Sequence, residues 1–295
     1  MNNNCSKKIS YKKNTKVVES NSHKYVVKLK KSNTSLIYDY LASRNFYNYL
    51  PKENNSTDTQ EVYRYIEEKP ESIEDKAIDL VYILSLLHIK TTIYEDINLD
   101  RIKEVYETNM KNINSLNTYY HNLQDYIENK VYMSPAEYLL IRNISQIYHL
   151  LTFSKNSLDS WYEEKKNNNK ERTVLLHNNL SLDHFLEDNR AYLISWDKAE
   201  RGYVIYDFLN FYKNEYNHLE MKSLFEIYQS KYQYTKEEKM LFLALLSIPW
   251  KIDFNDTNYN NTLKTRLLVN YVIKTSKFLS KDDEKNQKTQ EEKLE

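Results

Sequence analysis

The chain has 295 residues, with 42 Lys or Arg balanced by 42 Asp or Glu, one Gly, four Pro and 28 Tyr. Average usage would place about 20 glycines in this length. Gly202 standing alone therefore excludes the motifs that need glycine for φ > 0 or for close backbone approach to phosphate: a Walker A loop, a G-x-G-x-x-G turn, a nucleophile elbow, an EF-hand loop. Zero formal net charge lacks the basic surplus of a nucleic-acid binder, and a single cysteine, Cys5, excludes an intrachain disulfide and a Cys-based zinc site.

The opening MNNNCSKKIS carries no apolar stretch of the signal-peptide kind. The longest apolar run, residues 240–250, is about half of the roughly 20 residues a bilayer requires. We therefore expect a cytoplasmic chain without a membrane span. The tyrosines read as amphipathic filler, because a phenol buries its ring and keeps a polar tip.

In chain order, Val17-Val18, then residues 25–29, then residues 62–66 are β-branched or aromatic runs separated by turn-forming Asn and Ser, and predict strands. Residues 35–43 have helical spacing. After Pro70 the pattern changes: Ser72 can cap a helix whose apolar positions Ala77, Leu80, Val81, Leu84, Leu87 and His88 recur at i, i+3, i+4, i+7. Ile102, Tyr106, Met110, Ile113, Leu116, Tyr120, Leu123 and Ile127 describe one long helix or a pair. Ser134-Pro135-Ala136-Glu137 combines a capping box with Pro at the first helical position.

A polar run over 163–172 leads into three short strand-like pieces at 173–176, 184–186 and 191–194, after which the chain reads as helical to about residue 279, with a second capping box at Thr235. Residues 281–295 are charged without apolar periodicity and predict a disordered tail. The expected organisation is α+β: a strand-rich lobe over 1–70, and a helical lobe over 71–280 that holds a helical insertion at about 98–130 and a β patch at 173–196.

The β patch carries the informative constellation. His177-Asn178-Asn179 is followed by Asp183-His184, then by Ile194-Ser195-Trp196-Asp197, and then by Asp207-Phe208-Leu209. In these residues the chain resembles the aminoglycoside phosphotransferase and choline kinase family, near its spore-coat-associated kinase-like members. That family shows H-G-D-x-x-x-x-N, a hydrophobic strand ending in I-D-W, and a D-L or D-F-L segment opening a helix. The resemblance spans roughly residues 15–275, with its specific block at 175–209, and it implies a protein-kinase-like bilobal fold. It also implies that Lys28, in Tyr-Val-Val-Lys, stands where the family keeps its nucleotide lysine.

Three positions depart from that pattern. The resemblance puts Asn179 at the catalytic base and puts His184 and Ser195 at the metal ligands. Phosphoryl transfer needs oxygen ligands, usually carboxylates, for Mg²⁺. Asn179 cannot accept a proton, His184 offers nitrogen and Ser195 a neutral hydroxyl. His177, Trp196 and Asp207 read as structural. The leading expectation is therefore a catalytically inactive pseudokinase that keeps its scaffold for binding an unknown protein or small-molecule partner and needs no cofactor. Two alternatives stay open. One is an ATP- and Mg²⁺-dependent small-molecule kinase that recruits Asp183 and Asp197 as substitute ligands, and the other is a helical interaction protein with no nucleotide pocket. The resemblance also raises a spore-coat location beside the cytoplasmic one.

Overall fold

In the computed structural model the backbone is described for residues 7–12, 15–20, 23–30 and 34–291, and side chains for 15–19, 23–30 and 34–280. Two compact units divide the chain. One holds residues 1–93, 173–207 and 224–233, and the other holds 94–172, 208–223 and 234–295.

The first unit opens with β1 (Lys7–Lys12), β2 (Thr15–Ser20) and β3 (His23–Leu29), continues through helix α1 (Thr34–Ser43), and returns in β4 (Gln60–Arg64). These strands form one antiparallel sheet in the order β1-β2-β3-β4. Val17 faces Val26 and Val27 faces Val62, so branched side chains meet across the ladder. The same register sets Lys28 directly opposite Glu61. β1 was not expected, because KKISYK shows little apolar alternation.

Helix α2 (Ile73–Thr91) follows, with the Ser72 side chain accepting from the Asp75 amide at 3.0 Å and Glu74 and Asp75 in the first turn favouring the positive end of the helix dipole. Its buried stripe is the expected one, Ala77 through His88. The C-terminal part of β6 (Lys170–Leu176) pairs antiparallel with β9 (Glu200–Gly202), so that Val174 faces Gly202. Between them lie a 3-10 turn over Leu182–His184, the hairpin β7 (Phe185–Glu187) and β8 (Ala191–Leu193), and a second 3-10 turn over Trp196–Lys198.

Strand β5 (Ile93–Asp96) leads into the second unit. That unit is built on α3 (Leu99–Glu128), a single helix of 30 residues rather than a pair. Then come α4 (Pro135–Ile141), α5 (Ile144–Lys165), α6 (Ile205–Glu215), α7 (Met221–Lys231), α8 (Lys236–Leu246) and α9 (Asn258–Glu291), of which α6 and α7 each belong partly to both units. The capping boxes at Ser134 and Thr235 form with both arms in place. α5 packs on α3, α8 and α9 through Ile147, Leu150, Leu151, Leu158 and Trp161, and Ser154 Oγ donates to the Ala244 carbonyl at 2.7 Å.

The irregular segment after α8 shows what some of the tyrosines do. Tyr120 donates its hydroxyl to the Trp250 carbonyl at 2.6 Å, Tyr271 donates to Leu246 at 2.6 Å, and Tyr119 donates to Ile252. Tyr120 and Tyr271 bury their rings, Tyr119 is half-buried, and each satisfies a carbonyl that no ladder or helix serves. The backbone of α9 is helical to Glu291, because Lys, Glu and Gln propagate a helix that is already nucleated. Residues 292–295 lie outside those described.

Leu158 is fully buried and Val131 is 88 % exposed. Leu158→Ala is expected to cost about 2–5 kcal/mol in chemical denaturation, and Val131→Ala less than about 0.5 kcal/mol. Equal losses from the two would contradict this placement of the core.

Candidate functional site

At the end of β6 the backbone leaves the sheet at His177 and turns through Asn178, which has φ of 54°. The resemblance puts a glycine at this position. Asn is the non-glycine residue that best tolerates the left-handed region, so it meets the same backbone demand. Asp207, in the first turn of α6, holds the turn in place: Oδ2 accepts from the His177 amide at 2.8 Å and Oδ1 from the Asn178 amide at 2.7 Å.

The carboxylate is fully buried. His88 Nε2, 3.2 Å from Oδ2, donates to it, and His88 Nδ1 lies 2.6 Å from the Tyr228 hydroxyl. Burial by itself would raise the pKa of Asp207. The hydrogen bond and charge of His88, with further help from His177, outweigh it and hold the carboxyl below its ordinary value.

His177 is also fully buried, with its ring edge-on to Trp196 at 4.7 Å between centroids. Its Nε2 donates to the Ile194 carbonyl at 2.9 Å, while Nδ1 is buried and meets no hydrogen-bond partner among the described residues. Burial pushes its pKa down to about 4, against the upward pull of Asp207, so the ring is neutral at pH 7. Trp196 in turn donates from Nε1 to the Leu193 carbonyl at 2.8 Å and meets Phe46 in a T-shaped contact at 6.1 Å between centroids. His177, Trp196 and Asp207 thus form one buried support beneath the loop.

Above that support, the three departing positions come together with Lys28. Ser195 is left-handed, with φ 67° and ψ 52°, and its Oγ accepts from Lys28 Nζ at 3.3 Å. Asn179 Nδ2 reaches the Ser195 carbonyl at 3.5 Å, and His184 Nδ1 lies 2.7 Å from the Asn179 carbonyl. All four line a cleft of about 610 Å³ whose apolar walls include Val26, Leu186 and Ile194. Asp197 is exposed on the rim of this cleft, whereas Asp183 is exposed and not part of its lining.

Sequence reasoning did not single out the polar cluster on the sheet side. Helix α1 offers no glutamate, only Asp39, yet a buried carboxylate does face the cleft: Glu61 of β4. It pairs with Lys52 at 2.7 Å and accepts from Thr34 Oγ1 and from the Tyr63 hydroxyl, each at 2.8 Å. Burial would raise its pKa, but Lys52, Tyr63 and Thr34 together bring it below the ordinary value. The Tyr63 hydroxyl lies 3.4 Å from that of Tyr38, which stacks on Tyr49 and is pushed up to about 12, first by burial. The available signal was a lone charge followed by an apolar strand run, which by itself reads as a solvated edge.

Whether Mg²⁺ suits the inner end of this cleft can be judged from its donors. Mg²⁺ wants about six oxygens near 2.1 Å in octahedral array and usually one or two carboxylates. Here the implied ligand positions supply an imidazole nitrogen and a neutral hydroxyl that already takes a hydrogen bond from Lys28. These residues do not fit the ion.

No sequence-family profile and no curated protein matches the chain. Solved structures do. An aminoglycoside phosphotransferase from Alicyclobacillus acidocaldarius aligns at a TM-score of 0.68 with 10 % identity, over 96 % of this chain and 93 % of that one. The AMP-bound complex of spectinomycin phosphotransferase aligns at 0.50 with 14 % identity, over 90 % and 86 %. A choline kinase from Cryptosporidium parvum aligns at 0.41 with 12 % identity, over 96 % and 90 %. The chain therefore has the α+β, kinase-like fold of the aminoglycoside phosphotransferases. Among the described residues no helix is long and apolar enough to cross a membrane.

The buried support predicts a pH dependence. An unfolded histidine binds its proton near pH 6.5 and folded His177 only near 4, so stability falls as pH drops through that window, by on the order of 3 kcal/mol. Asp207, held low, adds a loss that sets in as pH falls through the ordinary carboxylate value. Denaturation midpoints followed from pH 7 downward should fall, and His177→Gln should flatten the upper part of the fall. A midpoint that stays constant down to about pH 4.5 in the parent chain would exclude a buried neutral His177.

Proposed function

We propose that this chain is a phosphotransferase-fold protein that binds a ligand in its cleft and does not transfer phosphate. The observation that carries this reading is the inner end of the cleft, where Asn179, His184 and Ser195 stand at the positions that the resemblance assigns to base and metal, tied to one another and to Lys28 by hydrogen bonds. Loss of a general base costs about 10²- to 10⁴-fold in rate, and kinases turn over at only about 1–100 s⁻¹. Loss of the metal ligands compounds this deficit, because phosphoryl transfer rests on electrostatic neutralisation of the phosphates. What remains is a shaped cavity with apolar walls and a few convergent polar groups, the usual form of a small-molecule site.

The competing reading, transfer through substitute carboxylates, draws support from Asp197 at the cleft rim. Asp183, exposed and away from the lining, adds nothing to it. The two readings part in one assay. Purified protein with ATP and Mg²⁺ is expected to show no phosphate release above the uncatalysed background, with hydroxyl and amine acceptors present or absent. Steady turnover that disappears in Asp197→Ala would overturn the proposal in favour of the rival.

A further inference from the structure

The zero net charge averages two unlike parts of the chain. Residues 1–31 hold nine lysines and one glutamate, a surplus of eight positive charges, so the 264 residues that follow carry 33 cations against 41 acids. Charge acts through its distribution as well as its sum. The basic segment includes β1, β2 and β3.

The register separates the lysines that meet an acid from those that do not. Glu19 stands opposite Lys7 and Lys24, and Lys24 also pairs with Glu67 at 3.0 Å. Lys28 turns into the cleft and donates to Ser195 Oγ. Lys16, by contrast, stands between Tyr11 and Val27. Lys16 and Lys30 are exposed, and among the described residues neither has an ion-pair partner. Lysines on an outer strand guard a free sheet edge, which accounts for those of β1. Edge protection does not account for Lys16, on the interior strand β2, or for Lys30, beyond the end of β3.

Side chains alternate along the strands, so this sheet has a second face. Thr15, Val26, Lys28 and Tyr63 line the cleft, and Lys16, Val18, Tyr25 and Val27 alternate with them on the side away from it. Val18, Tyr25 and Val27 are only half-buried. Leu29, at the end of β3 and at the mouth of the cleft, is 61 % exposed with a lysine on either side of it in sequence. Unpaired lysines call for an anionic partner. A nucleic acid would meet their charge but offers no apolar phase to an aliphatic side chain, whereas a bilayer of anionic lipids presents negative headgroups above hydrocarbon.

We propose that this sheet docks on an anionic lipid bilayer, with Lys16 and Lys30 against the headgroups, Leu29 in the interface, and the remaining surplus charge of residues 1–31 adding long-range attraction. The inference is independent of whether the cleft transfers phosphate.

Flotation of the full chain with vesicles tests it. Vesicles of equal parts phosphatidylserine and phosphatidylcholine should carry the protein at least about tenfold better than phosphatidylcholine alone, and the difference should shrink as salt is raised. Each lysine at such a surface contributes about fivefold, so Lys16→Ala combined with Lys30→Ala should weaken binding about 25-fold. Lys16→Gln with Lys30→Gln, which keeps more of the side-chain length, should lose as much. Leu29→Ser should weaken binding about threefold or more and leave its salt dependence in place. Lys155→Ala, exposed on α5, should bind as the parent does. Lack of preference for phosphatidylserine, or parent-like binding by both double variants, overturns the proposal. So does a mixed-sequence single-stranded RNA that binds the chain more tightly than the vesicles do, which would assign the lysines to a nucleic acid.

Discussion

A carboxylate withdrawn from water must find donors or give up its charge, and Asp207 finds three. Two are the consecutive backbone amides of His177 and Asn178, and the third is the His88 ring. Both amides are main-chain donors, so any residue but proline can supply them, provided that position 178 tolerates the left-handed backbone that Asn178 adopts. The positions of Asn179, and through its carbonyl of His184, follow from the path that these bonds fix.

Glycine scarcity sharpens the point. Three non-glycine residues take positive φ among those described: Asn45, Asn178 and Ser195. Two are asparagines, the residue type that enters this region at least cost, and the third is the serine that receives Lys28. Holding Ser195 there costs of order 1 kcal/mol or more, and the structure around it must supply that energy. Its neighbour Trp196, fixed by a hydrogen bond to Leu193 and by His177 and Phe46, is the rigid body that does so.

The sheet side of the cleft is organised by a different charge. Glu61 gathers Thr34 from the first turn of α1, Lys52 from an irregular stretch, and Tyr63 from its own strand, so one buried carboxylate ties helix and sheet together. Such a cluster stabilises only when every member is satisfied, and here Glu61 Oε1 is met by Lys52 and Thr34 and Oε2 by Tyr63. The helix α1 is thereby anchored at its start without a glutamate of its own.

What could be read from the residues alone were features whose physics is local. Ser72, Ser134 and Thr235 announce helix starts because capping involves residues three apart, and the α2 and α5 stripes follow from a 3.6-residue period. The block from His177 to Asp207 was also legible, since its spacing is a property of order along the chain. Strands β1, β5 and β9 escaped because short polar strands acquire identity only from the partner they bond. The Glu61 cluster escaped for the same reason. Its members are brought together from positions 34, 52, 61 and 63 by a register and a helix placement that no window of sequence contains. Only the tertiary structure decided that Lys28 meets Ser195 across 167 residues, because a hydrogen bond between segments so far apart exists only once the sheet, the hairpin and the braced loop have fixed both ends.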